Sequence, residues 1–233
     1  MTPVQIFPIT GIPEVEHRND IASLILAALA ASDVSLSQGD VLVVTHKIVS
    51  KAEGRIIDAG DEEAYRAAVE AEAVSIVRRR GDLVITQTRH GFICANAGVD
   101  RSNVTGNRAV LLPLDPDRSA HGIRMRVNRA VGFDVPVIVT DTFGRAWRRG
   151  QTDFAIGISG IAAIDDHKGR PDANGRIMEA TEIAIVDEIA SAADLAMGKS
   201  TGVPVAVVRG VEWAPGDGRL TELVRPPAED LFR

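Results

Sequence analysis

Strand-forming segments occur along the whole chain, but they do not alternate regularly with helices. Residues 41–44 and 135–140 are almost uninterrupted runs of apolar, mostly β-branched residues, a pattern that is typical of buried strands. Because no regular strand–helix–strand rhythm connects such runs, the sequence predicts an α+β fold of mixed sheets with packed helices. We expect one domain over residues 1–233, with two intertwined subdomains as the alternative. Further strands are predicted at residues 4–9, 83–86, 92–95, 109–114, 154–164 and 203–208.

Four helices are predicted between these strands. One covers residues 20–31 with Asn19 or Asp20 as its N-cap, and two others cover residues 115–130 and 182–197. The fourth covers residues 62–79, because small and apolar side chains recur near one face and arginines at its end suit the helix dipole. The patterns also predict a turn that ends this helix at Gly81, a polar turn region at residues 165–175 and an irregular tail at residues 214–233.

Charge limits the classes of partner. The formal net charge of −6 argues against nucleic-acid binding, which requires clustered cations to neutralise phosphates. An anionic substrate would therefore need a metal ion or a few well-placed arginines. The sequence contains neither a P-loop nor a Rossmann fingerprint after a strand, so any nucleotide site is of another kind.

Cellular location is constrained by the cysteine count and by the apolar segments. Cys94 is the only cysteine, which excludes an internal disulfide, and its apolar surroundings favour a core position. The longest apolar stretch, residues 21–31, is shorter than the roughly 20 residues that cross a bilayer. The N-terminus lacks a signal-peptide layout. We therefore expect a cytoplasmic protein without a membrane partner.

Residues 141–153 carry the densest group of polar side chains. An apolar strand ends in Asp141 and Thr142, and two glycines then frame three arginines and Trp147. A carboxylate at a strand end can present hard oxygen ligands to Mg²⁺ or Mn²⁺, and guanidinium groups bind carboxylates or phosphates. The alternative is a solvated turn, but the density of convergent polar groups favours an active-site loop.

Three other segments are candidates on weaker local grounds. In residues 97–104, small side chains precede Asp100 and Asn103, a pattern that suits either a second metal-binding arm or an Asx-turn. Residues 45–55 place two lysines after a buried strand, which suits either phosphate binding or a solvated basic loop. Residues 11–15 form a rigid turn that walls a pocket or simply connects a strand to a helix.

Taken in order, these segments resemble the coenzyme F420:L-glutamate ligase (F420-0 gamma-glutamyl ligase) family. The most specific blocks are residues 39–55, 97–103 and 140–153, and the resemblance extends from Pro8 to about Gly210. It implies an α+β homodimer with GTP in a groove, and a stand-alone ligase without an additional C-terminal domain.

The resemblance also implies a reaction. Members use GTP and a divalent metal to join the amino group of L-glutamate to the lactyl carboxylate of coenzyme F420-0, releasing GDP and phosphate. Addition of a further γ-linked glutamate to F420-1 is left open. The implied cations are Mg²⁺ or Mn²⁺ at two sites, with K⁺ as a further candidate. Two alternatives are a nucleotide-driven amide ligase with another acceptor and a non-catalytic GTP-binding regulator.

Site residues are carried over by matched position. Asp100 and Asp141 match ligands of the first metal, and Thr142 matches a ligand of the second. Near Lys199, archaeal members carry a glutamine that ligates metal, so the second ligand shell differs in this chain. Arg145 and Arg148 are candidates for substrate carboxylates on charge alone and, with Asp141, form the predicted catalytic set. The predicted nucleotide contacts are Ile12, Pro13, Glu14, Val15, His46, Lys51, Asn103, Met197, Gly198 and Lys199.

Overall fold

The computed structural model describes residues 3–102, 104 and 106–231, so the predicted contact Asn103 lies outside the described residues. Strands and helices are mixed along these residues, as predicted for an α+β fold. In chain order, the elements are β1 (Gln5–Pro8), α1 (Ile21–Ala30), β2 (Val41–Thr45), α2 (His46–Ala52), β3 (Ile56–Asp58), α3 (Glu62–Glu72), β4 (Ala73–Arg80), β5 (Leu83–Thr88), β6 (Ile93–Ala95), β7 (Arg108–Val110), α4 (Pro116–Val131), β8 (Val137–Arg145), β9 (Arg148–Ser159), β10 (Asp165–Asp166), β11 (Glu182–Ile183), α5 (Ile185–Met197) and β12 (Val205–Arg209).

The main sheet has five strands in the order β1-β12-β2-β8-β9. The central strands β2 and β8 run parallel, with Thr45 opposite Thr140, whereas the other neighbouring pairs are antiparallel. The carboxyl ends of β2 and β8 therefore lie side by side at one edge of the sheet. The segment that enters β12 reaches the same edge, where the Thr45 backbone N–H donates to the Pro204 carbonyl at 2.9 Å.

Both faces of this sheet are covered. Alternate strand residues such as Leu42 and Val139 pack with α1, α2 and α4, whereas their neighbours such as Val43 and Ile138 pack with α5. Burial on both faces explains why the central strands are continuously apolar in sequence. Three smaller sheets (β4-β5-β6, β3-β7 and β10-β11) accompany the main one, and α3 packs over a third apolar cluster containing Val69 and Val99.

Two aspartates protect the outer edge of β9. Asp117 of α4 accepts a hydrogen bond from the backbone N–H of Ile158 at 2.8 Å, and Asp187 of α5 accepts one from Ala155 at 2.9 Å. An edge strand otherwise presents unpaired N–H groups. Burial raises the pKa of both carboxyl groups above the ordinary value. The helices on either side of the sheet thus also satisfy backbone groups of its edge strand.

The helix predicted at residues 62–79 is wrong in its second half. The helix α3 ends at Glu72, and residues 73–80 form β4, which pairs antiparallel with β5 from Ala73 opposite Thr88 to Arg80 opposite Leu83. Gly81 (φ +59°) therefore lies in a hairpin turn and does not end a helix. The β-branched residues Val74, Ile76 and Val77 suit this strand, and pairing with β5 satisfies backbone groups that a helix would have satisfied internally.

Two other segments differ locally from the sequence-based expectation. Residues 141–153 are not a loop: β8 and β9 continue through them as an antiparallel hairpin, with Thr142 opposite Asp153 and Trp147 (φ +65°) in the turn. The predicted helix at residues 182–197 begins at Ile185, because Glu182 and Ile183 pair with β10. The other predicted strands and helices are found with shifted ends. None of the helices among the described residues is long and apolar enough to cross a membrane.

We predict that Gly157→Ala destabilises the protein by about 1–3 kcal/mol, the usual cost of overpacking a core. A Cβ at this buried position of β9 would lie 2.4 Å from the Pro116 backbone carbon, so α4 would have to move. Gly122→Ala is the matched control, because Gly122 lies in the exposed part of α4 with no atom within 4 Å of its added Cβ. The control should stabilise the protein by ~0.5–1 kcal/mol through helix propensity. Denaturant unfolding measures both changes, and equal effects of the two substitutions would contradict the predicted close packing.

Candidate functional site

A cavity of about 940 Å³ opens at the edge of the main sheet where β2 and β8 end. Its volume is within the usual range for small-molecule sites, and the carboxyl ends of parallel strands are a frequent position for them. The wall combines apolar residues with several groups of each charge. Its charged side chains are Glu14, Lys47, Lys51, Asp100, Arg101, Asp141, Asp153, Asp194 and Lys199.

Asp141 lies on β8, one residue beyond the last parallel pair with β2. One of its carboxylate oxygens accepts a hydrogen bond from the Thr142 backbone N–H at 2.7 Å. The same oxygen lies 3.2 Å from Nε2 of His46, the first residue of α2. His46 is fully buried, and its Nδ1 lies 3.4 Å from the Ser50 hydroxyl. The buried imidazole therefore contacts Asp141 without a hydrogen bond from Nε2, and Asp141 lines the cavity.

Asp100 reaches the cavity from a separate segment. Asn96, Ala97 and Gly98 all have positive φ, and a Cβ on Gly98 would come within 2.7 Å of Leu112. This turn requires small residues, which accounts for the sequence that precedes Asp100. Paired backbone hydrogen bonds of 2.8–2.9 Å between Asp100 and Val110 then fix the position of the carboxylate.

The Asp100 carboxylate is held in its charged form by its neighbours. Burial favours the neutral acid, but Lys47 Nζ at 2.8 Å and the Ser102 backbone N–H at 2.6 Å favour the anion. The net effect lowers the pKa of Asp100 below its ordinary value. Asp100 is therefore an anionic oxygen donor at neutral pH.

Lys51 connects α2 to the turn at residues 12–15. Its side chain is largely buried, and its Nζ donates to Glu14 at 2.5 Å. The Glu14 side chain is 73% exposed, so this carboxylate can move away while the ammonium group stays at the cavity wall. The arrangement places one positive charge where an anionic ligand would enter.

A second polar group, here called the Lys199 cluster, consists of Thr142, Asp153, Asp194 and Lys199. The buried Asp153 accepts hydrogen bonds from the hydroxyls of Thr140 at 3.0 Å and Thr142 at 2.5 Å. Lys199 Nζ lies 3.0 Å from Asp153 and 3.4 Å from Asp194, and it also contacts the Thr142 hydroxyl. Partial burial lowers the pKa of Lys199, but the two carboxylates outweigh this effect and raise it above the ordinary value.

The structure brings together most of the predicted site residues. Asp100, Asp141 and Thr142 line the cavity, as do eight of the predicted nucleotide contacts: Ile12, Pro13, Glu14, Val15, Lys51, Met197, Gly198 and Lys199. His46 does not reach the cavity wall, and neither do Arg145 and Arg148, which lie towards the tip of the β8–β9 hairpin. The Arg145 side chain folds back along this hairpin and donates to the Arg149 carbonyl at 2.7 Å.

Sequence reasoning missed several residues of the wall. Arg101 stacks on Tyr65, 4.0 Å from its ring centroid, and donates to backbone carbonyls of the segment before α3. Asp194 lies on α5, where nothing in the local pattern separates it from a solvated surface residue. Lys47 and Asp153 lie within residues 45–55 and 141–153, which the sequence had already indicated as candidate segments. This position was the available signal for those two residues.

The carboxylates of Asp100 and Asp141 are the groups of the cavity that could hold a divalent cation. Asp100 and Asp141 come from different segments and line the same cavity as hard carboxylate ligands. Between residues 3 and 231, leaving aside 103 and 105, no three carboxylate, imidazole or thiolate groups converge as a ligand cluster. Mg²⁺ does not require one, because it commonly uses one or two carboxylates together with phosphate oxygens.

Cys94 is a core residue, as the sequence predicted. Burial, with a smaller contribution from the negative charge of Asp141, raises the pKa of its thiol to about 12. A thiol with this pKa stays neutral at physiological pH and is a poor nucleophile or metal ligand. The chemistry of the cavity therefore rests on oxygen and nitrogen groups.

Comparison with known proteins identifies relatives over nearly the whole chain. A sequence profile described as F420-0:Gamma-glutamyl ligase matches residues 10–210. The chain is 39% identical over 249 residues to the coenzyme F420:L-glutamate ligase of Methanothermobacter thermautotrophicus, with 99% of each chain covered. It is 41% identical over 246 residues to the protein of the same name from Archaeoglobus fulgidus, covering 99% of this chain and 96% of the relative. The profile match includes every segment that lines the cavity.

Proposed function

Because the chain belongs to the F420-0:Gamma-glutamyl ligase family, we propose that it joins the amino group of L-glutamate to the lactyl carboxylate of coenzyme F420-0, using GTP. Addition of a further γ-linked glutamate to F420-1 belongs to the same proposal. The observation that carries it is the convergence of Asp100, Asp141 and Lys51 on one cavity at the ends of β2 and β8.

Amide formation requires activation of the acceptor carboxylate, because its oxygen is a poor leaving group. In the proposed reaction, a carboxylate oxygen attacks the γ-phosphorus of GTP, and GDP leaves. The glutamate amine then attacks the acyl carbon of the resulting acyl phosphate, loses a proton, and inorganic phosphate leaves. Phosphoryl transfer of this kind depends mainly on positioning and on charge stabilisation.

Each wall of the cavity has a proposed role in this reaction. Asp100 and Asp141 would hold Mg²⁺ or Mn²⁺, which when bound would neutralise charge between the phosphate oxygens. Lys51 and the turn at residues 12–15 would position the phosphates, and the segment after α5 would cover the nucleotide. Arg145 and Arg148 do not line the cavity, but the base of their hairpin does, and on charge they are our candidates for binding the substrate carboxylates outside the wall.

Product mass tests the proposed reaction directly. Purified protein incubated with F420-0, GTP, L-glutamate, MgCl₂ and KCl should yield F420-1 and GDP, measured by mass spectrometry. GTP hydrolysis without F420-1 would favour an amide ligase with another acceptor, and GTP binding without turnover would favour a regulator. Either result would contradict the proposed acceptor.

We predict that Asp141→Asn lowers ligation by more than about 100-fold, since even residues that only orient metal ligands typically contribute 10- to 100-fold. The substitution keeps the size of the side chain but removes its charge, so circular dichroism should show an unchanged fold. Asp217→Asn is the matched control at an exposed aspartate outside the cavity wall. Undiminished Mg²⁺-dependent ligation by Asp141→Asn would refute the proposed role of this carboxylate.

Replacement of Lys51 tests the nucleotide side of the cavity. Charge-assisted hydrogen bonds contribute about 1.5–3 kcal/mol, so Lys51→Gln should raise the KM for GTP roughly 10- to 100-fold. Lys168→Gln is the control, because Lys168 is paired with Glu182 on the β10–β11 hairpin and does not line the cavity. An equal KM for both variants would exclude Lys51 as a phosphate contact.

We also propose that the chain forms a homodimer in the cell cytoplasm, through the face of β5 and β6 that carries Leu83 and Ile93. By strand register the side chains of Leu83 and Ile93 point to the same face, where they are 45% and 40% exposed, and exposed apolar groups commonly mark interfaces.

Light scattering coupled to size exclusion should give twice the 24.8 kDa mass of the chain, and Ile93→Glu should reduce that mass towards one chain. Leu195→Glu is the control, since Leu195 is 86% exposed on α5 and away from this face. A wild-type mass of one chain would contradict the dimer.

A further inference from the structure

The Lys199 ammonium group lies among oxygen atoms from three elements of the fold. Thr142 of β8 contributes its hydroxyl, Asp153 of β9 a carboxylate oxygen at 3.0 Å, and Asp194 of α5 another at 3.4 Å. Two carboxylates and a hydroxyl are hard oxygen donors of the kind that bind cations. The ammonium nitrogen occupies the point towards which these donors converge.

A fixed positive charge is required at this point by the burial of Asp153. The side chain of Asp153 is 4% exposed, and its other hydrogen bonds come from the neutral hydroxyls of Thr140 and Thr142. A buried carboxylate without a countercharge is strongly unfavourable. Lys199 is its ion-pair partner, and the Lys199 side chain is 59% exposed at the open side of the cavity.

The backbone after α5 explains how a lysine reaches this position. The helix ends at Met197, and Gly198 adopts a φ of +62°, which turns the chain back over the end of the helix. Its N–H still donates to the Asp194 carbonyl at 2.8 Å. The turn therefore places Lys199 next to Asp194 and against the β8–β9 hairpin.

We propose that the Lys199 ammonium takes the place of a second divalent cation, so that the nucleotide complex holds one divalent ion per chain, at Asp100 and Asp141. An ammonium group and a metal ion cannot share the point between Thr142, Asp153 and Asp194. The inference rests on the proposed metal- and GTP-dependent function. It differs from the expectation of two divalent sites that the family resemblance implies.

The number of Mn²⁺ ions bound in the presence of saturating GDP tests the inference without measuring turnover. Free Mn²⁺ is followed by electron paramagnetic resonance as the protein is titrated. The wild-type protein should bind one ion per chain. Lys199→Gln removes the charge but keeps a polar chain of similar length, and it should bind two ions. The double variant Lys199→Gln/Asp153→Asn should return to one, and Lys199→Arg, which keeps the charge, should also bind one.

Two ions in the wild-type protein, or an unchanged count in Lys199→Gln, would overturn the inference. If circular dichroism shows that Lys199→Gln does not fold, the wild-type count alone decides between one ion, which supports it, and two ions, which overturn it. Binding of no Mn²⁺ by the wild type with GDP would instead contradict the proposed metal-dependent function, and the inference with it.

Discussion

The parallel pairing of β2 with β8 determines where the central part of the cavity wall lies. Opposed residues Thr45 and Thr140 are the last parallel pair, and the two strands then continue differently. From β2 the chain enters α2, which buries His46 and brings Lys51 to the wall, whereas β8 continues straight and presents Asp141. In an antiparallel pair, the carboxyl ends of the two strands would point in opposite directions. The residues that follow β2 and those that follow Thr140 would then lie far apart. The contact between His46 and Asp141 depends directly on this parallel register.

Charge balance is the second constraint on the site. Four of the five carboxylates on the described wall have lysine neighbours: Lys47 lies beside Asp100, Lys51 beside Glu14, and Lys199 beside both Asp153 and Asp194. A cavity that handles anionic substrates in an acidic protein needs such neutralisation, since unpaired buried charges are costly. The carboxylates of these pairs differ in burial, from the 73% exposed side chain of Glu14 to the 4% exposed side chain of Asp153. An incoming anion can therefore compete for some of the cations far more readily than for others.

Much of this arrangement could be predicted from the sequence, because apolar runs and polar residues at their ends carry local information. The strands at residues 41–44 and 135–140, and the ligand candidates Asp100 and Asp141, follow from such patterns. The end of the predicted helix at residues 62–79 could not be predicted, because Ile76 fits the residue spacing of a helix as well as that of a strand. Pairing with β5 determines that residues 73–80 form a strand. The burial of His46 could not be predicted either, nor could the contact of Lys199 with Thr142, which joins residues 57 positions apart. Tertiary pairing of distant segments leaves no periodic signal in one sequence.

The β8–β9 hairpin has a consequence for how this chain can change over evolutionary time. Asp141, Thr142 and Asp153 are paired residues of one antiparallel ladder. Neighbouring side chains on such a strand normally point to opposite faces. A single-residue insertion between Thr140 and Thr142 would shift the register of Thr142 against Asp153 and break the hydrogen bond between their side chains. At the turn around Trp147, by contrast, added or lost residues leave the pairs below it unchanged. Length variation among related chains should therefore accumulate at the hairpin tip, which gives this part of the molecule freedom to diversify while the ladder is conserved in length.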